Sequence, residues 1–182
     1  MTVDHQSAYV LDTGPLSHFA RSQWLGVLKA ILGDVQVLVP DVVAAELTNG
    51  CTQHVHLKAV IEAEWIDVVA LDSPEQLAAF AYYEQRLVGP GRRNIGECGV
   101  LALAETMADA VAVVDDRVAV QVATKRGVTI RRTLGLLCEA IRKDLLTVPL
   151  VSAIADDLMK DKYRLPFGPG GFARWAEEQG LT

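Results

Sequence analysis

Residues 8–16 read AYVLDTGPL, an apolar run that ends in Asp12 and is followed by a turn. A second apolar run, VAVV at 111–114, ends in the same way at Asp115 and Asp116. Short, continuous runs rich in β-branched residues are typical of buried strands in a parallel sheet. Because open α/β sheets bind ligands at the carboxyl ends of their strands, we expect these three carboxylates to lie at one edge of the sheet.

The rest of the chain alternates between strand and helix patterns. Further strands are predicted at about 35–39, 65–69 and 128–131. Helices are predicted at about 15–32, 42–48, 52–62, from 74 up to a break at 89–91, and at 95–107, 117–125, 134–141, 149–158 and 172–176. One domain of this alternation predicts a three-layer α/β fold, in which helices flank a central parallel sheet and the crossovers are right-handed.

Several helix starts carry capping signals. Ser73 and Gln76 have the spacing of a capping box before a helix that begins at about Pro74. Asp41, Asn94 and Thr133 each precede a helical pattern, and we expect their side chains to cap the helices that follow.

Composition limits the classes of protein. The chain has 182 residues, of which 51% are hydrophobic and 22% charged, as in globular domains. The net charge of −6 argues against a protein that coats nucleic acid, but it does not exclude a nuclease with an acidic site. No apolar run approaches the about 20 residues that cross a bilayer, and the start lacks secretory features, so we expect a cytoplasmic protein without membrane contact. The three cysteines follow no ligand motif and are predicted to be free thiols.

Two further acids lie in helical patterns that can face the same edge of the sheet, Glu46 and Glu97. Carboxylates crowded into one small volume repel each other unless a cation neutralises them, and all-oxygen ligands suit Mg²⁺ or Mn²⁺. The pattern therefore predicts a metal-dependent enzyme that cleaves phosphodiester bonds.

Each acid also has a purely structural explanation. Asp12 can begin an Asx turn into Gly14, and Asp116 can cap the next helix. Glu97 lies in a first helical turn, where the helix dipole favours an acid, and Glu46 can be an ordinary surface residue. The joint pattern is more specific than any one of its members.

The joint pattern resembles the PIN-domain ribonucleases, the family of the VapC-type toxins. The resemblance is carried by LDTGPL at 11–16, GE at 96–97 leading into ALA at 102–104, DDR at 115–117 and TLGLL at 133–137. These motifs extend over about residues 9–146. The resemblance implies a single PIN-like nuclease domain over 1–182, with a core at about 8–146 and a helical C-terminal extension at about 147–182.

The resemblance also assigns roles. It implies that one or two Mg²⁺ or Mn²⁺ ions serve RNA hydrolysis, with Asp12, Glu46, Glu97 and Asp116 as catalytic acids. The metal ligands would be Asp12, Glu97 and Asp116, with Asp115 as a close contender for the last position. Thr13 matches a hydroxyl near the metal and substrate. The family further suggests a homodimer and, for a toxin, an antitoxin protein as partner; the longer chain leaves open whether this protein is a toxin.

The basic residues are clustered and predict a rim that binds substrate. Arg92, Arg93, Arg131 and Arg132 can pair with phosphates or stack on unpaired bases of single-stranded RNA. Ordinary solvated surface is the alternative interpretation.

Other functional classes fit less well. A phosphatase of the haloacid dehalogenase type needs a second acid two residues after the first, where this chain has Gly14. His54 and His56 are two apart, so they would not share the face of a helix as a zinc pair would. The serious alternative is a non-catalytic PIN-like module that binds RNA or protein.

Overall fold

A computed structural model describes residues 8–89 and 93–181. One parallel sheet has the strand order β3-β2-β1-β4-β5. The strands are β1 (Ala8–Leu11), β2 (Gln36–Pro40), β3 (Ile66–Val69), β4 (Ala110–Val113) and β5 (Thr129–Arg131).

Helices follow every strand and flank the sheet, which confirms the predicted α/β fold with a central parallel sheet. They are α1 (Thr13–Arg21), α2 (Leu25–Leu32), α3 (Asp41–Gly50), α4 (Lys58–Ile61), α5 (Pro74–Leu87), α6 (Ile95–Thr106), α7 (Arg117–Thr124), α8 (Thr133–Arg142), α9 (Val148–Lys160) and α10 (Phe172–Glu178). No helix in the described part of the chain has the length and apolar character needed to span a membrane.

The two apolar runs form the centre of the sheet. All four residues of β1 and all four of β4 are buried, because helices cover both faces of these strands. The two strands are neighbours in register, with Leu11 paired to Val113, and the Asp12 amide donates to the Val113 carbonyl at 3.3 Å. The chain leaves β1 on one side toward β2 and later enters β4 on the other, so the carboxyl ends of β1 and β4 border the crevice at which such sheets bind ligands.

The capping box at α5 is confirmed. The Gln76 amide donates to Ser73 Oγ and the Ser73 amide donates to Gln76 Oε1, both at 3.1 Å. The cap expected at Asp41 is wrong, because Asp41 is already the first residue of α3 and Pro40 holds the cap position.

The cap expected at Asn94 is confirmed in position but not in its side-chain bond, and the cap expected at Thr133 is wrong. Asn94 holds the cap position of α6 in a left-handed conformation, φ 69°, and its side-chain amide donates to the Leu87 carbonyl instead. Thr133 is the first residue of α8, and both its amide and its hydroxyl bind Asp115. A carboxylate from another strand end thus supplies the acceptor that a local cap would have provided.

The helix predicted at 52–62 is broken. A turn after Gly50 leads into a 3₁₀ segment, Val55–Leu57, and then the short α4. Leu57 folds back onto Gly50, where an added Cβ would lie 2.7 Å from Leu57 Cδ1. The glycine at this position accommodates the Leu57 side chain without displacing it.

The C-terminal helices pack on the rest of the molecule. Val151, Ile154 and Leu158 of α9 are fully buried in the shared core. Trp24 Nε1 donates to Asp157 Oδ2 at 2.9 Å, which ties α9 to the start of α2. Residues 148–160 therefore continue the same hydrophobic core.

Candidate active site

Asp12 lies at the carboxyl end of β1, and only 8% of its surface is exposed. Its Oδ2 accepts the Gly14 amide at 3.4 Å, so it does form the Asx turn that starts α1. The pKa of Asp12 is raised from 3.8 to about 7, chiefly by burial; the charges of Glu46 and Asp115 also raise it, and hydrogen bonds from the Thr13 and Gly14 amides lower it. The hydrogen bond of the Asx turn therefore does not offset the cost of ionising this buried carboxyl group at neutral pH.

Glu46 projects from α3 and is held by two donors. The Thr13 hydroxyl donates to Glu46 Oε2 at 2.6 Å, and the Gly96 amide donates to Oε1 at 3.0 Å. A Cβ on Gly96 would lie 2.6 Å from Glu46 Oε2, so a glycine is needed for this approach. Gly99, one turn later, admits Val42 in the same way, with 2.3 Å between an added Cβ and Val42 Cγ2. The two glycines let α6 pack against α3 closely enough to bring Glu46 to the site.

Glu97 follows in the first turn of α6. Its Oε2 is buried and has no hydrogen-bond partner among the described residues. The pKa of Glu97 is raised from 4.5 to about 8, chiefly by burial and also by the charges of Asp12, Asp116 and Glu46. A buried oxygen without a partner is rare and costly, so this atom needs an explanation.

Asp115 and Asp116 accept hydrogen bonds from different helices, α8 and α7. Asp115 accepts the Thr133 amide at 2.9 Å and the Thr133 hydroxyl at 2.7 Å, one on each oxygen. Asp116 caps α7, since its Oδ1 accepts the Ala119 amide at 2.8 Å. The charge of Asp116 acts on Glu97 and that of Asp115 acts on Asp12. The structure thus gathers all five predicted acids at the carboxyl ends of β1 and β4.

The family follows from a comparison with family models. A model described as a PIN domain matches residues 8–167. The chain belongs to the PIN-domain family. PIN domains are typically nucleases. Comparisons with curated proteins and with solved structures found no match.

The acids of this PIN domain have the charge and the oxygen atoms that bind a divalent cation, but their side chains are not arranged around a common metal position. The orphaned Glu97 oxygen and the raised pKa values of Asp12 and Glu97 are what crowded carboxylates show without a counter-charge. Within residues 8–89 and 93–181, however, no three Asp, Glu, His or Cys side chains stand ready to hold a metal ion. The donor chemistry fits Mg²⁺ or Mn²⁺, and binding would require side chains of the cluster to move.

The predicted basic rim divides into separate parts. Arg131 Nε donates to Glu139 Oε1 at 2.6 Å, so this guanidinium is engaged in an ion pair. Arg132 is exposed and lines a cavity beside Asp115 and Asp116. Arg93 is exposed just before α6, whereas Arg92 lies outside the described residues.

Sequence reasoning missed two rings that adjoin the acids. His18 of α1 and Tyr163, just after α9, are packed edge to face with 5.1 Å between their ring centroids. Burial and the nearby charge of Asp115 raise the pKa of the Tyr163 hydroxyl, which keeps it protonated. Burial lowers the pKa of His18 against the opposing effect of the Asp115 charge. The only signal in the sequence was an aromatic residue within the charged run 160–164, too common a pattern to single out.

Proposed function

We propose that this PIN domain is a Mg²⁺- or Mn²⁺-dependent endoribonuclease that hydrolyses RNA phosphodiester bonds. The supporting observation is the crowding of carboxylates at the crevice, with the buried, unpartnered Oε2 of Glu97 among them. Hydrogen bonds within the fold engage at least one oxygen each of Asp12, Glu46, Asp115 and Asp116. No hydrogen bond within the described residues engages Oε2 of Glu97.

The proposed ligands are the acids with free oxygens. Asp12, Glu97 and Asp116 would hold the cation, and Asp115 is the weaker candidate because each of its oxygens already accepts a hydrogen bond from Thr133. A bound divalent cation supplies charge neutralisation for the phosphate and activation of the attacking water. The raised pKa values of Asp12 and Glu97 predict that cation binding releases protons near neutral pH.

Glu46 acts as a positioning residue in this proposal. Both its oxygens accept hydrogen bonds, from the Thr13 hydroxyl and the Gly96 amide, so its carboxylate is fixed between α1 and α6. Its charge raises the pKa of both Asp12 and Glu97 and thereby contributes to their demand for a counter-charge. The Thr13 hydroxyl already donates its hydrogen to Glu46. Toward substrate it can therefore act only as a hydrogen-bond acceptor.

The test is cleavage of labelled RNA by wild type and by Asp12→Asn. We expect Mn²⁺-dependent internal cuts by wild type, none with a chelator and none by the variant. Asp34→Asn is the matched control, because Asp34 is an exposed acid outside the cluster. This variant should retain full activity. Wild-type cleavage rates in a clean Asp12→Asn preparation would refute the assignment.

The same proposal extends to biology and assembly. Expression of wild type and Asp12→Asn in cells, followed by sequencing of RNA ends, separates three functions. A toxin gives a few defined cuts with growth arrest and would have an antitoxin partner; a processing enzyme gives defined cuts without arrest. A non-catalytic RNA- or protein-binding module gives neither.

A homodimer is proposed on the apolar surface of α5. Leu77 is 52% exposed on this helix, whereas Tyr83 of the same helix is buried in the core and donates to Glu105. We expect light scattering to give twice the monomer mass for wild type and a lower mass for Leu77→Lys. A monomer mass across a wide range of concentrations would rule out a stable dimer.

A further inference from the structure

A cavity of about 550 Å³ opens beside the acidic cluster. Its lining includes Asp115, Asp116 and the segment 162–166 that follows α9. Its volume lies within the range of about 300–1,000 Å³ that is usual for small-molecule sites. The segment 162–166 belongs to the C-terminal part of the chain, so this part contributes to the wall of the candidate active site.

The start of the segment 162–166, which lines the cavity, is held in place by hydrogen bonds. The Lys162 amide donates to the Met159 carbonyl at 3.0 Å and the Tyr163 amide to the Leu158 carbonyl at 3.2 Å. With Lys162 in the left-handed region, φ 67°, these bonds form a Schellman motif that ends α9 and turns the chain toward the acids.

A polar anchor fixes the same turn to α1. Asp161 forms an ion pair with Arg21 at 3.0 Å and accepts the Ser22 hydroxyl at 3.1 Å. Tyr163 then reaches inward to Asp115 and packs on His18. The cavity is thus bounded by α1, by the end of β4 and by a segment whose backbone is fixed at two points.

The lining combines two kinds of chemistry. Arg132, Lys162 and Arg164 provide positive charge, and within residues 8–89 and 93–181 none of the three forms an ion pair. Three unpaired cations around one cavity stand out in a chain of net charge −6. Apart from Asp115 and Asp116, the other lining residues are apolar or carry rings: Leu134, Leu165, Pro166, His18 and Tyr163.

We propose that this cavity binds one nucleotide of a single-stranded RNA substrate, next to the phosphate that is cleaved. The three cations contact backbone phosphates, and the rings and apolar side chains contact an unstacked base. A nucleotide has both an anionic group and a flat apolar one, which matches this lining better than an inorganic anion or an acidic peptide does. The inference rests on the proposed ribonuclease function and names the substrate site for it.

The experiment measures RNA binding without turnover, in the full-length Asp12→Asn background. A labelled single-stranded RNA of mixed sequence is titrated by fluorescence anisotropy over a series of salt concentrations. The test variant adds Arg132→Gln and Arg164→Gln. The control adds Arg142→Gln and Lys143→Gln, which remove the same charge from the opposite end of α8, about 14 Å along the helix axis.

Loss of two phosphate contacts should flatten the slope of log K against log salt by about 1.4 and weaken binding about 25-fold at 0.1 M salt. The control pair should leave the slope unchanged. Arg132→Lys with Arg164→Lys keeps the charges and should restore the slope, which separates charge loss from misfolding. RNA of the same length without bases should bind wild type more weakly, and polyglutamate should not displace RNA.

Three results would overturn the inference. If the test variant binds as the control does while wild-type protein cleaves RNA, the cavity is not the substrate site and the ribonuclease proposal stands. If polyglutamate or baseless RNA binds as well as RNA, the cavity does not recognise a nucleotide. If wild type neither binds nor cleaves RNA, both proposals fail.

Discussion

Replacing Asp12 by asparagine should make the metal-free protein more stable while it abolishes the response to Mn²⁺. Asp12 is buried at the end of β1, and its folded-state pKa of about 7 lies well above the ordinary 3.8. Ionising it in the folded state therefore costs about 4 kcal/mol, at about 1.4 kcal/mol for each pKa unit. Asparagine is nearly isosteric, carries no charge and can still accept the Gly14 amide.

The net gain is smaller than the cost of ionisation. The asparagine side chain brings an NH₂ group, and leaving it unpaired in this buried position costs about 1–3 kcal/mol. We expect the free energy of unfolding to rise by about 1–3 kcal/mol, or roughly 3–9 °C in Tm for a chain of 182 residues.

The pH dependence provides a second signature of the same charge. A carboxyl group whose pKa is raised on folding contributes no penalty below its unfolded pKa, near 4, and the full penalty above its folded pKa, near 7. Wild-type stability should therefore fall as pH rises from 4 to 8. The advantage of Asp12→Asn should be largest near pH 8, shrink as pH falls, and turn by about pH 4 into a deficit of about 1–3 kcal/mol, the cost of the unpaired NH₂ group.

The assay is urea unfolding with a chelator at pH 8, repeated with Mn²⁺. At about 100 times its dissociation constant, Mn²⁺ should stabilise wild type by about 2.7 kcal/mol and the variant by much less. Asp34→Asn, at an exposed position, should behave as wild type in both conditions. An Asp12→Asn protein that is no more stable than wild type with chelator, or that gains as much from Mn²⁺, would refute the electrostatic reasoning.

Further predictions concern the neighbours of this residue. Gly96→Ala places a Cβ 2.6 Å from Glu46 Oε2, so Glu46 must move and Mn²⁺ affinity should fall by about 10–100-fold in calorimetric titration. Gly135→Ala, in a helix with no heavy atom within 4 Å of the added Cβ, should leave the affinity unchanged, and equal losses would contradict the packing argument. Asp116→Ala should remove Mn²⁺ binding, whereas Asp115→Ala should mainly lower metal-free stability by about 1–3 kcal/mol, because it removes two hydrogen bonds to the start of α8. Equal losses of Mn²⁺ affinity in these two alanine variants would show that the distinction is wrong.

The sequence by itself determined the framework of the site. Two apolar runs, each ended by an aspartate, are sufficient to predict buried parallel strands and carboxylates at one edge, because burial and strand direction are properties of local pattern. The capping box of Ser73 and Gln76 was predictable for the same reason, since its partners are three residues apart. The break after Gly50 was not predicted, because the pattern of residues 52–62 fits a continuous helix, whereas the structure has a turn, a 3₁₀ segment and the short α4 there.

Tertiary structure alone decided how each functional group is used. Asp115 accepts hydrogen bonds from Thr133, 18 residues away, and Glu46 accepts one from Gly96, 50 residues away. Nothing in local sequence distinguishes Arg131, paired with Glu139, from Arg132, which lines the cavity. The contribution of Tyr163 depends on a turn after α9 that is anchored to α1. These assignments arise from contacts between distant segments, and such contacts exist only after the core has brought those segments together.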